Sequence, residues 1–136
     1  PFPNADWNAW QPGMDPTNRF VCVQSIYIDK NDTLWILDPA ALGGLGGEVV
    51  KGGPKLVKVD LKANRVERVY PFDEVQAPKH SYLNDVRVDT DKQVAYVTDS
   101  GLGAILVVDL KTGKARRVLE HHPSTNAEPG FVLLVN

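Results

Sequence analysis

The chain has a single cysteine, Cys22, among 136 residues, so no intrachain disulfide can form. Cys22 sits in the apolar run Phe20-Val21-Cys22-Val23. A thiol there reads as a small buried hydrophobe, and no neighbour in sequence would activate it as a nucleophile. Long apolar runs are also missing: no window approaches the roughly 18 uninterrupted apolar residues of a membrane-spanning helix. Neither sign of charge dominates, because 15 Lys and Arg face 17 Asp and Glu, a net charge of −2. Nucleic-acid binding normally rests on a basic surplus, which this chain lacks. Helical periodicity is scarce, since Gly or Pro interrupts every candidate i, i+3, i+4, i+7 pattern of useful length. Familiar catalytic signatures are absent as well. Gly43-Gly44-Leu45-Gly46-Gly47 lacks the Lys-Ser/Thr of a phosphate loop, and there is no Gly-x-Ser-x-Gly elbow or Cys/His zinc spacing. Pro1-Phe2-Pro3-Asn4 has neither the basic nor the apolar region of a signal peptide. With no initiator Met, the first residue reads as a processed, trimmed or excised end.

Strand patterns are what the sequence does contain. Val23 to Asp29 is β-branched and aromatic and breaks at Lys30-Asn31-Asp32. Thr33 to Asp38 is nearly all apolar, as a strand buried on both faces would be. Lys55 to Leu61 and Arg65 to Tyr70 alternate, with Lys62-Ala63-Asn64 as the turn between them. The same four segments then recur as Leu83–Asp89, Val94–Asp99, Ala104–Leu110 and Lys114–Leu119. Asp38 and Asp99 are 61 residues apart, whereas Asp60 and Asp109 are 49 apart. The difference of 12 is the Gly-rich insertion at 41–53, which is expected to be an exposed, flexible loop.

A four-strand unit recurring at about fifty residues is the signature of a β-propeller blade. The expected fold is therefore all-β, built from blades of four antiparallel strands. A β-sandwich made by duplication is the competing architecture. Residues 1–22 are expected to finish a preceding blade and connect to the next. Residues 23–72 and 83–122 form two complete blades, and 131–136 begin another. On this reading the chain is about a third of a six-bladed propeller. The remainder belongs either to the same longer polypeptide or to two further copies in a homotrimer.

The motif string resembles the yellow / major royal jelly protein family. It includes Phe2-Pro3-Asn4-Ala5-Asp6-Trp7-Asn8, Phe20 to Ile26, Leu34-Trp35-Ile36-Leu37-Asp38, Tyr82 to Asp89 and Ala95 to Gly101. The resemblance implies a six-bladed propeller that is secreted or periplasmic, and the lack of paired cysteines is similar to the bacterial branch. It also implies a binder that holds amines or sterols in the central cavity. A tautomerase-like enzyme and a scaffold for other proteins are alternatives. A metal-assisted lactonase, as in the more distant gluconolactonase relatives, is another. Gln24 stands where that lactonase family would place an acidic metal ligand.

First strands line a propeller channel, so polar residues on them are candidates for a site. Gln24-Ser25 and Asn84-Asp85 occupy matching positions at the start of the two first strands. They would orient an uncharged or cationic small molecule; alternatively, Asn84 and Asp85 would hold a divalent cation, calcium or magnesium, through oxygen ligands. A third option is that they bind backbone amides of the preceding loop. His80 and Tyr82 lie just upstream and complete the candidate set. Asp38 and Asp99 are a conceivable acid/base pair, but turn capping explains them more simply. Adjacent strand residues point opposite ways, so His121-His122 reads as surface loop rather than a chelating pair. Trp35 is expected in a blade core, while Trp7 and Trp10 either rim a pocket or pack across blades.

Overall fold

The computed structural model describes residues 1–132. In chain order the strands are β1 Ser25–Ile28, β2 Thr33–Asp38, β3 Ala41–Leu42, β4 Glu48–Val49, β5 Lys55–Asp60, β6 Arg65–Pro71, β7 Leu83–Asp89, β8 Val94–Asp99, β9 Ala104–Asp109 and β10 Ala115–Val118. The helical content among the described residues is one 3-10 turn, Asp6–Asn8. Strands β1-β2-β5-β6 form one antiparallel sheet in that order, and β7-β8-β9-β10 form a second. Each is a four-stranded meander, and the two are propeller blades.

Aspartates at strand ends make the turns. Asp60 Oδ1 accepts the N–H groups of Lys62 and Ala63 at 2.8 and 3.0 Å. Asp109 Oδ1 does the same for Lys111 and Thr112 at 2.8 and 2.9 Å. Asn64 and Gly113 follow in the left-handed region, which these residues tolerate better than most.

The blades meet face to face and approach most closely where β7 lies beside β1 and β2, so the pair forms a wedge. Trp35, Leu37 and Leu56 of the first blade pack there against Val86, Val97 and Leu106 of the second. The opposite face of the first blade presents Leu34, Ile36, Val57 and Val59, which the N-terminal segment covers with Trp7 and Phe20. Those four positions match Ala95, Val97, Leu106 and Val108 of the second blade, the face packed on the first. The repeat thus shows one face taking a neighbouring blade in one copy and a non-strand segment in the other.

The structure departs from the sequence expectation in several places. No strand forms before Ser25, so Val23 and Gln24 lie outside β1, although the Gln24 N–H still bonds Leu37 O at 3.0 Å. The insertion at 41–53 is not simply a loose loop. It carries the β3–β4 hairpin, buries Ala41, and is tied down by Val49 N–H to Lys79 O at 3.2 Å. Phe131 and Val132 are exposed and belong to no strand, and the rest of the expected 131–136 strand lies outside the described residues.

Candidate functional site

The two first strands run side by side and join matching residues across the blade boundary. Gln24 Nε2 donates to Asn84 Oδ1 at 3.0 Å, and Ser25 Oγ donates to Asp85 Oδ1 at 3.3 Å. Both pairs are 60 residues apart, one less than the 61 that separate Asp38 from Asp99. A bulge in β7 between Leu83 and Val86 releases Asn84 and Asp85 from strict alternation, while Leu83 and Val86 stay buried. Asn84 Nδ2 also reaches Ser100 Oγ at 3.2 Å, and the Asp85 N–H bonds Thr98 Oγ1 at 3.0 Å. Asp85 is exposed, and among the described residues its carboxylate has one partner, the long bond from Ser25. Farther along, Arg87 lies over the Tyr27 ring, 5.5 Å from its centroid, and Lys30 Nζ pairs with Asp91 at 2.6 Å.

Asn84 and Asp85 do not hold the loop before the strand. Asp38 and Asp99 do. Asp38 accepts the Val21, Cys22 and Ala40 N–H groups at 2.7, 3.0 and 2.9 Å. Asp99 accepts the Tyr82, Gly101 and Leu102 N–H groups at 2.8, 3.0 and 3.2 Å and the Ser81 hydroxyl at 2.7 Å. Each buried carboxylate also meets a buried cation. Lys55 Nζ lies 3.1 Å from Asp38, and Arg117 Nη1 lies 2.8 Å from Asp99. Burial pushes the Asp99 pKa up, but the bonds from Ser81, Tyr82 and Arg117 outweigh it and leave the group below its ordinary value. Burial also lowers the Lys55 pKa, with the Asp38 charge opposing the shift. These pairs fasten the lead-in of each first strand to the end of the second, and they face no solvent as an acid/base pair would.

His80 is exposed and Tyr82 half-buried, and neither side chain hydrogen-bonds the Gln24–Asn84, Ser25–Asp85 group. His121 and His122 are exposed in their loop, where His122 Nδ1 meets Ser124 Oγ at 2.8 Å. Trp35 is buried in the blade core and gives its Nε1–H to Asp29 at 2.9 Å. Trp7 packs on Phe20 with ring centroids 4.9 Å apart, and Trp10 donates to Met14 O at 3.1 Å. Neither of these tryptophans hydrogen-bonds the Gln24–Asn84, Ser25–Asp85 group. Sequence reasoning missed Lys55 and Arg117. Lys55 opens a strictly alternating strand as if it were a surface residue, yet it is 1% exposed. No group of three or more His, Cys, Asp or Glu among the described residues is placed to hold a metal ion. No helix there is long and apolar enough to cross a membrane.

Comparison with known proteins adds a match to the sequence model of one family, described as major royal jelly protein, over residues 21–135. No curated protein matches the chain.

Proposed function

We propose, since this chain belongs to the major royal jelly protein family, that its two blades supply part of a channel wall that holds a small molecule. Gln24, Ser25, Asn84 and Asp85 are the contacting residues, with His80 and Tyr82 beside them. The observation that carries this reading is the direct bonding of repeat-matched polar side chains at the entry to the first strand of each blade, Gln24 to Asn84 and Ser25 to Asp85. A blade core needs no such groups there, and the bulge in β7 presents two of them together. The Ser25–Asp85 bond is the weakest of the set, so a ligand donor displaces it at little cost. An exposed carboxylate beside amide and hydroxyl groups favours a cationic or neutral ligand over an anion. The rest of the wall comes from the remaining blades, in the same polypeptide or in further copies. Native mass of the intact protein separates those two assemblies.

The test is calorimetric titration with tryptamine, a small aromatic amine, and with its neutral analogue indole. Asp85→Asn should weaken tryptamine binding at least tenfold and leave indole nearly unchanged, and Asn84→Ala should weaken both. Equal affinities in wild type and both variants would overturn the assignment. Calcium binding that is lost in Asp85→Asn would instead move it to the metal reading.

A further inference from the structure

The contact between the two blades has its two halves repeated on the outer faces of the pair. Inside the chain, Val86 and Val88 of β7 pack in one cluster with Tyr27, Trp35 and Leu37 of the first blade. In the first blade the residues that match Val86 and Val88 are Ile26 and Ile28. They are 63% and 54% exposed, whereas Val86 is fully buried. In the second blade the residue that matches Trp35 is Tyr96. It is 42% exposed, with half-buried Val107 opposite it in β9. One outer face therefore carries the Val86-like half of the contact, and the other carries the Trp35-like half.

The segments that lead into the first strands are placed alike. Phe72 and Ala77, between β6 and β7, lie in the core between the blades. Trp7 and Phe20, before β1, cover Leu34 and Ile36 of β2 and Val57 and Val59 of β5, and leave Ile26 and Ile28 open. The polar contacts along the first strands are complementary in either order. Within the chain Gln24 meets Asn84, Ser25 meets Asp85 and Lys30 meets Asp91. Between two copies the matched positions exchange roles, so Asp85 of one copy faces Ser25 of the next, and Asp91 comes beside Lys30. An unrelated surface would supply these complements only by chance.

We infer that the open face of the second blade binds a second copy of this chain head to tail, with Tyr96 and Val107 of one copy seated on Ile26 and Ile28 of the next. Burial of the apolar strips drives the contact, and the polar ends of the first strands set its register. The two surfaces differ, so the contact is heterologous. Each added copy presents a fresh pair of faces until the wedge closes on itself. Assembly is read without a ligand, so this proposal and the channel proposal stand or fail separately.

The test is sedimentation equilibrium of the chain over a range of concentrations. The mass should rise above the 15.0 kDa of one chain as concentration increases. Tyr96→Lys and Ile26→Lys should each weaken association at least about tenfold, because an ammonium group in the apolar contact loses its water. Both side chains are exposed, so urea midpoints should stay near that of wild type, and Ile28→Lys repeats the second block from a neighbouring residue. Mixed in equal amounts, Tyr96→Lys and Ile26→Lys should form pairs and nothing larger, since one intact contact remains for each pair of unlike chains. A single 15.0 kDa species at every concentration would overturn the inference and leave the face to further blades of a longer polypeptide. Association that the lysine variants leave unchanged would overturn it too. So would a loss confined to one of the two variants, the mark of a two-fold contact between like faces.

Discussion

Replacing Asp99 with Asn tests whether the buried carboxylate fastens the lead-in of the second blade. Asp99 is 2% exposed, and Arg117 is 5% exposed at its side chain. Its Oδ1 takes the three backbone N–H groups, and its Oδ2 takes Ser81 Oγ and Arg117 Nη1. An Asn can keep the backbone bonds through its remaining oxygen. Its amide nitrogen would then face the guanidinium, donor against donor, and leave a buried cation short of its partner. Breaking a buried pair from one side costs about 3–5 kcal/mol. Glu120, 2.7 Å from Arg117 Nε, still neutralises part of that charge and places the expected loss near the lower end. Arg117→Met should cost less, roughly 1–3 kcal/mol, because Asp99 retains four donors. Groups in one network are non-additive, so the double variant should recover about 2 kcal/mol of the summed loss. Urea unfolding at constant slope measures all three against a total stability of about 5–15 kcal/mol. A coupling below about 0.5 kcal/mol would refute the clasp, since that is the scatter expected of independent sites.

Acid should weaken the same clasp. The folded pKa of Asp99 lies below its ordinary value of 3.8, so its stabilisation is present above that value and disappears as pH falls through the folded pKa. The stability gap between wild type and Asp99→Asn should therefore close in that window, which an acid titration of unfolding midpoints would show. Lys55 has the opposite consequence at high pH. Its lowered pKa makes wild type gain stability relative to Lys55→Met as pH rises from the folded pKa toward 10.5, a trend absent if the ammonium is solvated. Gly53→Ala would set a Cβ 2.5 Å from Ala40 Cβ and should cost about 1–3 kcal/mol by thermal unfolding. Adding Ala40→Gly should recover part of it, because Ala40 has φ +50 and the change removes clash and strain together. Trp7→Ala should cost roughly 3 kcal/mol and raise amide exchange at Ile36 and Val57, which the N-terminal segment covers.

The blade repeat was legible because strand alternation and Asp-led turns are local signals. Asp60 and Asp109 bind the two N–H groups their turn positions require, and nothing distant competes with them. The contact between the first strands was legible through the repeat: residues matched in sequence met in space as Gln24–Asn84 and Ser25–Asp85. Long-range partners were not legible. The carboxylates at 38 and 99 match, but their cations come from β5 in one blade and β10 in the other. A repeat predicts the shared half of such a pair and is blind to the half that drifted. The hairpin at 41–53 was hidden by its glycines, which signal turns but not the Val49–Lys79 bond that anchors them. Burial of the 7–20 segment was hidden too, because Trp7 and Phe20 carry no strand period of their own.

The β3–β4 insertion leaves β2 and returns to β5, so its extra residues enter and exit the sheet at neighbouring positions. Spacing between the blades is set elsewhere, by β1 and β7 lying against each other. The length of the hairpin tip is thus decoupled from the contact between β1 and β7. The tip of the hairpin at 43–47, beyond the buried Ala41 and the Val49–Lys79 bond, can be varied while Gln24 still meets Asn84. One surface of this protein is open to variation in the lineage or at the bench, and the meeting of the two blades need not change with it.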